Sequence, residues 1–157
     1  MSKYFSLLIV ACSVFWLSTA YAEPKNITLS AADRQAAFEA AGLHLQAGRW
    51  VDCAEGVVTD VRDLNGDQLP EAIITQDSAE CFGRVGTRFS LVSKDQKGEW
   101  RLMVQEMAIP ELGKMINGWP EITTTGPGFC FAVHRWNGSQ YLIDRYEYAG
   151  KPCTLAK

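Results

Sequence analysis

Short β-type runs dominate the hydrophobic pattern of this 157-residue chain from Trp50 onward. Apolar and polar residues alternate within the runs, and Gly, Asn, Asp or Pro separates one run from the next, which is typical of strands joined by turns. Three connections, at residues 63–69, 95–98 and 137–138, have the composition of hairpin loops. The pattern predicts strands near residues 56–62, 71–76, 87–93, 99–105, 120–125, 129–136 and 140–147.

One helix is predicted before these strands. Ser30 and Asp33 have the spacing of a capping box, and an alanine-rich stretch carries the helix to Gly42, a typical helix end. Phe38 and Ala41 give this helix an apolar stripe that can pack against a sheet. We therefore predict an α+β fold, mostly antiparallel β-sheet with one N-terminal helix.

The sequence contains a faint internal repeat. Leu-Pro-Glu-Ala-Ile-Ile-Thr at residues 69–75 resembles Trp-Pro-Glu-Ile-Thr-Thr-Thr at residues 119–125, with Pro70 and Pro120 lying 50 residues apart. A turn with Gly and Cys and strands with aromatic residues follow each copy, a spacing typical of propeller blades or similar β-meander units. This predicts two meander units packed together, with the helix over one exposed face; chance similarity is the alternative.

The N-terminal residues have the pattern of an export signal. Lys3 gives a basic start, residues 5–17 are almost wholly apolar, and Ala20-Tyr21-Ala22 is a small-residue cleavage site. Residues 1–22 are therefore predicted to be removed. Residues 23–157 then form one globular domain that is periplasmic or secreted.

A lipoprotein signal is the alternative to this export signal. Ile9-Val10-Ala11-Cys12 resembles a lipoprotein processing box, although the apolar run continues past Cys12.

The formal net charge is −3 and becomes −4 once Lys3 is removed with the signal. This acidic balance, without a basic run, argues against nucleic acid or an anionic membrane surface as a partner.

Four cysteines follow the predicted signal, an even number that favours disulfides in an oxidising compartment. Three pairings are open to them. Cys53–Cys81 and Cys130–Cys153 are favoured because each pair brackets one of the two predicted units. Zinc binding is the weaker alternative, since no pair has the Cys-x-x-Cys spacing of a zinc site.

An acidic loop lies between the first two predicted strands. Asp63, Asn65, Asp67 and Glu71 supply oxygen atoms at the spacing used by calcium loops. The alternative is a tight turn in which Asp63 and Asn65 accept hydrogen bonds from their own backbone. In either case the loop is expected to serve the fold and not a reaction.

Asp-Leu-Asn-Gly-Asp followed by Leu-Pro-Glu, at residues 63–71, resembles the FG-GAP/VCBS-type repeat. The resemblance implies calcium as a structural cofactor, with Asp63, Asn65, Asp67, the Leu69 carbonyl and Glu71 as ligands. The sequence departs from the repeat at Gln68, where glycine is usual, and at Glu71, where aspartate is usual. A helix, the Asp-rich hairpin, a Gly-Pro-Gly-Phe-Cys-Phe strand and an Arg-Trp-Asn-Gly turn follow one another in the chain. In this layout the whole chain is similar to a group of small exported proteobacterial proteins, which implies fold and location only.

Catalytic patterns are sparse in this chain. The two histidines, His44 and His134, have no nucleophilic Ser or Cys beside them and are interpreted as turn and strand residues. Acidic pairs suited to acid–base chemistry occur at Asp77 with Glu80 and at Glu106 with Glu111. A small envelope hydrolase that uses acidic residues therefore stays an alternative.

Residues 107–119 are apolar and rich in Gly and Met, and they join the two predicted units. We expect an exposed contact surface there, formed by Ile109, Met115 and Trp119 together with Phe129; the alternative is a linker folded over the core. The favoured function is a periplasmic protein-binding module, such as an inhibitor or immunity protein against a cell-wall hydrolase or toxin. A structural calcium-binding envelope protein is a further alternative.

Overall fold

The computed structural model describes residues 27–155. The predicted signal at residues 1–22 and the alternative lipidation site at Cys12 lie outside the described residues. Within 27–155, most residues lie in antiparallel strands and one helix precedes them, so the predicted fold class is confirmed. The helices are α1 (Ala31–Ala40) and the one-turn α2 (Ala79–Phe82).

The structure contains eleven short strands in the described residues. They are β1 (His44–Gln46), β2 (Arg49–Val51), β3 (Gly56–Arg62), β4 (Glu71–Asp77), β5 (Thr87–Lys94), β6 (Trp100–Glu106), β7 (Ile109–Ile116), β8 (Trp119–Thr125), β9 (Phe131–Trp136), β10 (Tyr141–Tyr148) and β11 (Lys151–Pro152).

Two meanders account for most of the sheet structure. Strands β3 to β6 form a four-stranded sheet, and β7 to β11 form a five-stranded sheet, each in sequence order and each antiparallel throughout. Strands β1 and β2 form a separate small hairpin. The two predicted meander units are thus present.

The molecule has three layers. Inward-facing residues of the two sheets share one core, which contains Leu64, Ile73, Phe89, Leu91, Met103, Ala108, Trp119, Ile122, Trp136 and Tyr141. Helix α1 covers the opposite face of the four-stranded sheet, where Phe38 stacks on Trp50 at 5.4 Å between ring centroids and packs in a cluster with Ile74. The order is therefore helix, four-stranded sheet, five-stranded sheet.

Capping chemistry sets the position of α1. The Ser30 hydroxyl oxygen accepts a hydrogen bond from the Asp33 backbone N–H at 3.1 Å, as the capping box predicts. Asp33 also accepts from the Lys94 Nζ at 2.6 Å and from the Trp100 indole at 3.2 Å. These contacts tie the first turn of the helix to β5 and β6.

The disulfides are Cys53–Cys81 and Cys130–Cys153, with Cα atoms 5.9 and 5.7 Å apart, as predicted. Each bridge closes a loop within or beside one sheet, so each unit has its own cross-link. In the described part of the chain, no helix is long and apolar enough to cross a membrane.

Residues 107–119 contain strand β7 and the turn of a β-hairpin, so the alternative of a linker folded over the core is wrong. Strand β7 occupies the edge of the five-stranded sheet and pairs with β8 through the turn Asn117-Gly118. Both turn residues have positive φ, 54° and 79°, as a type I′ two-residue hairpin requires. Pro110 is tolerated in β7 because an edge strand has a strand on one side only.

The predicted strand at 129–136 begins late, at Phe131. Gly128 and Cys130 have positive φ, 124° and 67°, so the backbone before Phe131 is turned and not extended. The loop predicted at 137–138 is also longer than two residues, since Trp136 pairs with Tyr141, and within it the Asn137 side-chain oxygen accepts from the N–H groups of Ser139 and Gln140.

Candidate functional site

The acidic loop uses its side-chain oxygens on its own backbone. Asp63 accepts hydrogen bonds from the N–H groups of Gly66 at 2.6 Å and Gln68 at 2.9 Å. Asn65 and Asp67 accept from the N–H groups two residues further on, at 2.9 and 2.8 Å. Gln68 has a φ of 69°, the left-handed conformation that glycine adopts with less strain. The loop has the contacts of the tight-turn alternative.

Glu71 lies in the sandwich interior below this loop. Its carboxylate accepts from the Leu64 N–H and from the Ser93 hydroxyl, both at 2.7 Å, and burial raises its pKa to about 7. Within residues 27–155, no group of three or more His, Cys, Asp or Glu side chains is arranged to hold a metal ion. Calcium at Asp63, Asn65, Asp67, Leu69 and Glu71 stays a prediction.

The histidines and acidic residues considered for catalysis have different surroundings in the structure. His134 is buried, its Nε2 lies 3.6 Å from a Glu106 oxygen, and its Nδ1 has no hydrogen-bond partner among the described residues. His44 is exposed on β1. Asp77 accepts from the Thr87 hydroxyl at 2.6 Å, whereas Glu80 belongs to the first turn of α2.

The four residues proposed for partner contact divide into two classes. Ile109, Met115 and Phe129 are 49%, 55% and 64% exposed, so their side chains are accessible. Trp119 is only 7% exposed, and its ring lies 5.3 Å from the ring of Trp136 in the inter-sheet core. Trp119 therefore anchors the core and is removed from the contact surface.

A cleft of about 690 Å³ opens on the outer face of the five-stranded sheet, which faces away from the four-stranded sheet. Register pairing brings its lining together: Ile109 lies opposite Thr125, and Glu111 lies opposite Thr123. Alternation explains the face, because Ile122 points into the core and its neighbours point away from it. The apolar walls come from Val85, Ile109, Pro127, Phe131 and Tyr148.

Acidic and aromatic groups give this cleft its chemistry. Two carboxylates, Glu111 and Glu147, line it, and no Lys or Arg of residues 27–155 does. The Arg145 Nε donates to Glu147 at 3.1 Å, while Glu111 has no ion-pair partner among the residues described. The rings of Phe131 and Tyr148 lie 6.1 Å apart. The arrangement is suited to a ligand with apolar and cationic parts.

A charged network covers the adjoining half of the same face. Buried Glu121 accepts from Arg145 at 2.7 Å and from Arg135 at 2.9 Å, and Arg145 holds the pKa of Glu121 down at about 2. Asp144 bridges the same two guanidinium groups at 3.1 Å. Carboxylates neutralise both arginines, so the charged groups of this network are already paired. The cleft is the part of this face that is open to a ligand.

The internal repeat explains the position of the cleft. In the first unit Ile73 lies opposite Leu91, and Thr75 lies opposite Phe89. In the second unit Thr123 lies opposite Val133, and Phe131 is the counterpart of Phe89. The first face packs against the next sheet, whereas its counterpart in the second unit faces outward.

The sequence indicates part of this surface. The apolar segment 107–119 predicts that Ile109 is exposed, and Glu111 is one of a pair of carboxylates. The sequence does not indicate Glu147 and Tyr148, because their strand is far from Ile109 along the chain. The Asn117-Gly118 turn was the available signal, since it implies that β7 pairs with β8 and brings Glu111 onto the sheet face.

Comparison with known proteins adds no assignment to this geometry. No protein-family model, curated protein or solved structure matches the chain. The candidate site is therefore defined by its own residues and contacts.

Proposed function

We propose that this protein is an exported protein-binding module and that the cleft on the outer face of the five-stranded sheet is its contact surface. One observation carries the proposal. In the first unit the equivalent sheet face is buried by the next sheet, but in the described part of the chain no helix or sheet packs over this one. This face corresponds to one that is packed in the first unit, and it carries exposed apolar residues. Such a face is suited to binding another protein.

The surroundings of the cleft support a protein partner. Ile109 and Tyr148, which line the cleft, are about half exposed, and Phe129, two residues before the lining residue Phe131, is largely exposed. Exposed apolar side chains of this kind are found at the centre of protein interfaces. The Cys130–Cys153 bridge fixes the loop before β9, so the surface is preorganised and loses little freedom on binding.

The proposal includes a location and a class of partner. Two disulfides fit an oxidising compartment, and residues 1–22 have the signal pattern, so the periplasm is the proposed location. A rigid, acidic, disulfide-bonded domain is suited to blocking a cell-wall hydrolase or a toxin. The proposed role is accordingly an inhibitor or immunity protein.

The test is capture of a partner from periplasmic extract by the oxidised protein and by two matched variants. Ile109→Asp places a charge in the cleft, whereas Leu45→Asp places the same charge at a similarly exposed apolar position on β1. The captured protein is expected to be lost with Ile109→Asp and retained with Leu45→Asp. Thermal unfolding of both variants checks that the fold is intact.

Two outcomes would contradict the proposal. Equal capture by both variants would place the contact elsewhere on the molecule. Turnover of peptidoglycan fragments that is lost in Glu111→Gln would instead support the envelope hydrolase, since Glu111 and Glu147 are the carboxylates that line the cleft.

A further inference from the structure

We infer that the cleft receives a lysine or arginine side chain of the partner polypeptide, with Glu111 as the ion-pair acceptor and with Phe131 and Tyr148 as an aromatic wall. The inference rests on the proposed function and adds the chemistry of the partner to it. It stands on three observations: the charge of the cleft, its aromatic rings and its position on the sheet.

Charge is the first observation. Two carboxylates line the cleft, and none of its described lining residues is cationic, so its field favours a positive group. Glu147 already accepts a hydrogen bond from Arg145 at 3.1 Å. Glu111 has no such partner within 27–155, which leaves its carboxylate available to a ligand.

The aromatic rings are the second observation. Phe131 and Tyr148 lie at a centroid distance of 6.1 Å with an interplanar angle of 49°, and more than half of the Tyr148 side chain is exposed. A guanidinium or ammonium group is attracted to the face of such a ring. Ile109 on the opposite side offers an apolar surface for the methylene stem of the same side chain.

Position is the third observation, and it argues against a second copy of this chain as the occupant. Helix α1 covers the outer face of the four-stranded sheet, so a copy cannot stack on the cleft with that face. A face-to-face arrangement would bring Glu111 and Glu147 of one copy against the same residues of the other. Like charges at such a contact are unfavourable.

The test uses synthetic pentapeptides and nuclear magnetic resonance on the oxidised protein. The probe is acetyl-Val-Phe-Arg-Phe-Val-amide, and its control carries citrulline, which has the shape of arginine without the charge. The arginine peptide is expected to shift the amide signals of Ile109, Glu111 and Tyr148 saturably. It should bind about fivefold more tightly than the citrulline peptide, as one partly exposed ion pair allows.

A matched pair of variants completes the test. Glu111→Gln should lower the affinity for the arginine peptide to that for the citrulline peptide, and Glu99→Gln, at an exposed glutamate before β6, should change neither. Equal affinity for both peptides, an unchanged affinity in Glu111→Gln, or signal shifts elsewhere would each overturn the inference. If Ile109→Asp still abolishes capture from extract in that case, the proposed function stands and only the cationic ligand is excluded.

Discussion

Glu71 and Glu121 occupy equivalent positions in the two units, and their surroundings reverse the behaviour of the same carboxyl group. Glu71 is buried between the sheets and has no ion-pair partner among the described residues, so burial raises its pKa to about 7. Glu121 is equally buried but lies against Arg135 and Arg145, which hold its pKa at about 2. Each residue therefore makes the stability of the protein depend on pH in its own direction.

Glu71 is expected to make the wild-type protein less stable as pH rises from about 4.5 to about 7. The folded state holds a proton on Glu71 in that range and the unfolded state releases it, which costs the fold roughly 3 kcal/mol at pH 8 as an upper figure. Glu71→Gln keeps an acceptor for the Leu64 N–H and should remove this slope. Urea unfolding at pH 5, 6, 7 and 8 measures it.

Equal slopes for wild type and Glu71→Gln would contradict the assignment. Glu121 gives the internal comparison, because its lowered pKa stabilises the fold above about pH 4.5 and this contribution is lost as pH falls toward 2. Glu121→Gln should therefore flatten the acid limb of the profile and leave the slope between pH 5 and 8 in place.

Asp63 is expected to support the acidic loop whether or not calcium is present. Asp63→Ala leaves the N–H groups of Gly66 and Gln68 without acceptors and should destabilise the protein by about 1–2 kcal/mol. Gln68→Gly should stabilise it by about 1 kcal/mol, because glycine adopts positive φ without strain. Thermal unfolding in calcium and in chelator measures both effects.

The same experiment decides whether calcium binds the loop. An increase in stability with calcium that disappears in Asp63→Ala would assign the ion to this loop, since a ligand of the native state stabilises it by mass action. Identical curves in calcium and chelator would exclude it. An Asp63→Ala variant as stable as wild type would contradict the turn role.

At the scale of elements, the sequence predicts the strands in which apolar and polar residues alternate regularly, and it does not predict a strand whose alternation is interrupted. The sequence predicts β3 to β6, β8 to β10, α1 and both disulfides, because alternation, capping and the bracketing cysteines point to them. Strand β7 was missed, since Pro110 and Gly113 interrupt its pattern. The cleft was only partly predicted, because register across four strands decides which residues meet.

Trp119 and Ile109 lie in one hairpin and should respond very differently to truncation. Trp119→Ala removes a ring from the inter-sheet core and should lower the free energy of unfolding by about 3–5 kcal/mol. Ile109→Ala removes a half-exposed side chain and should change it by less than about 1 kcal/mol. Urea unfolding of both variants measures the difference, and comparable losses would mean that β7 is core and that its surface is unavailable to a partner.

At the scale of the whole molecule, each sheet carries its own cross-link, so neither unit relies on the core alone. Cys130→Ser with Cys153→Ser is expected to lower stability by about 3 kcal/mol, as opening a loop with a sequence separation of 23 allows. Thermal unfolding measures it. Peptide mapping under non-reducing conditions should show the same two bridges, and a Cys81–Cys130 link would contradict the two-unit arrangement.

The three-layer order has a consequence for assembly. Two sheets stacked with their faces in the same orientation form an array that could be extended at either end, and this chain covers one end fully and the other in part. Helix α1 caps one end with apolar contacts to Ala72, Ile74 and Val92, and the network around Glu121 caps part of the other with charge. A chain that lacked α1 would expose an apolar sheet face and is expected to self-associate through that face, because a terminal repeat without a cap recruits further copies.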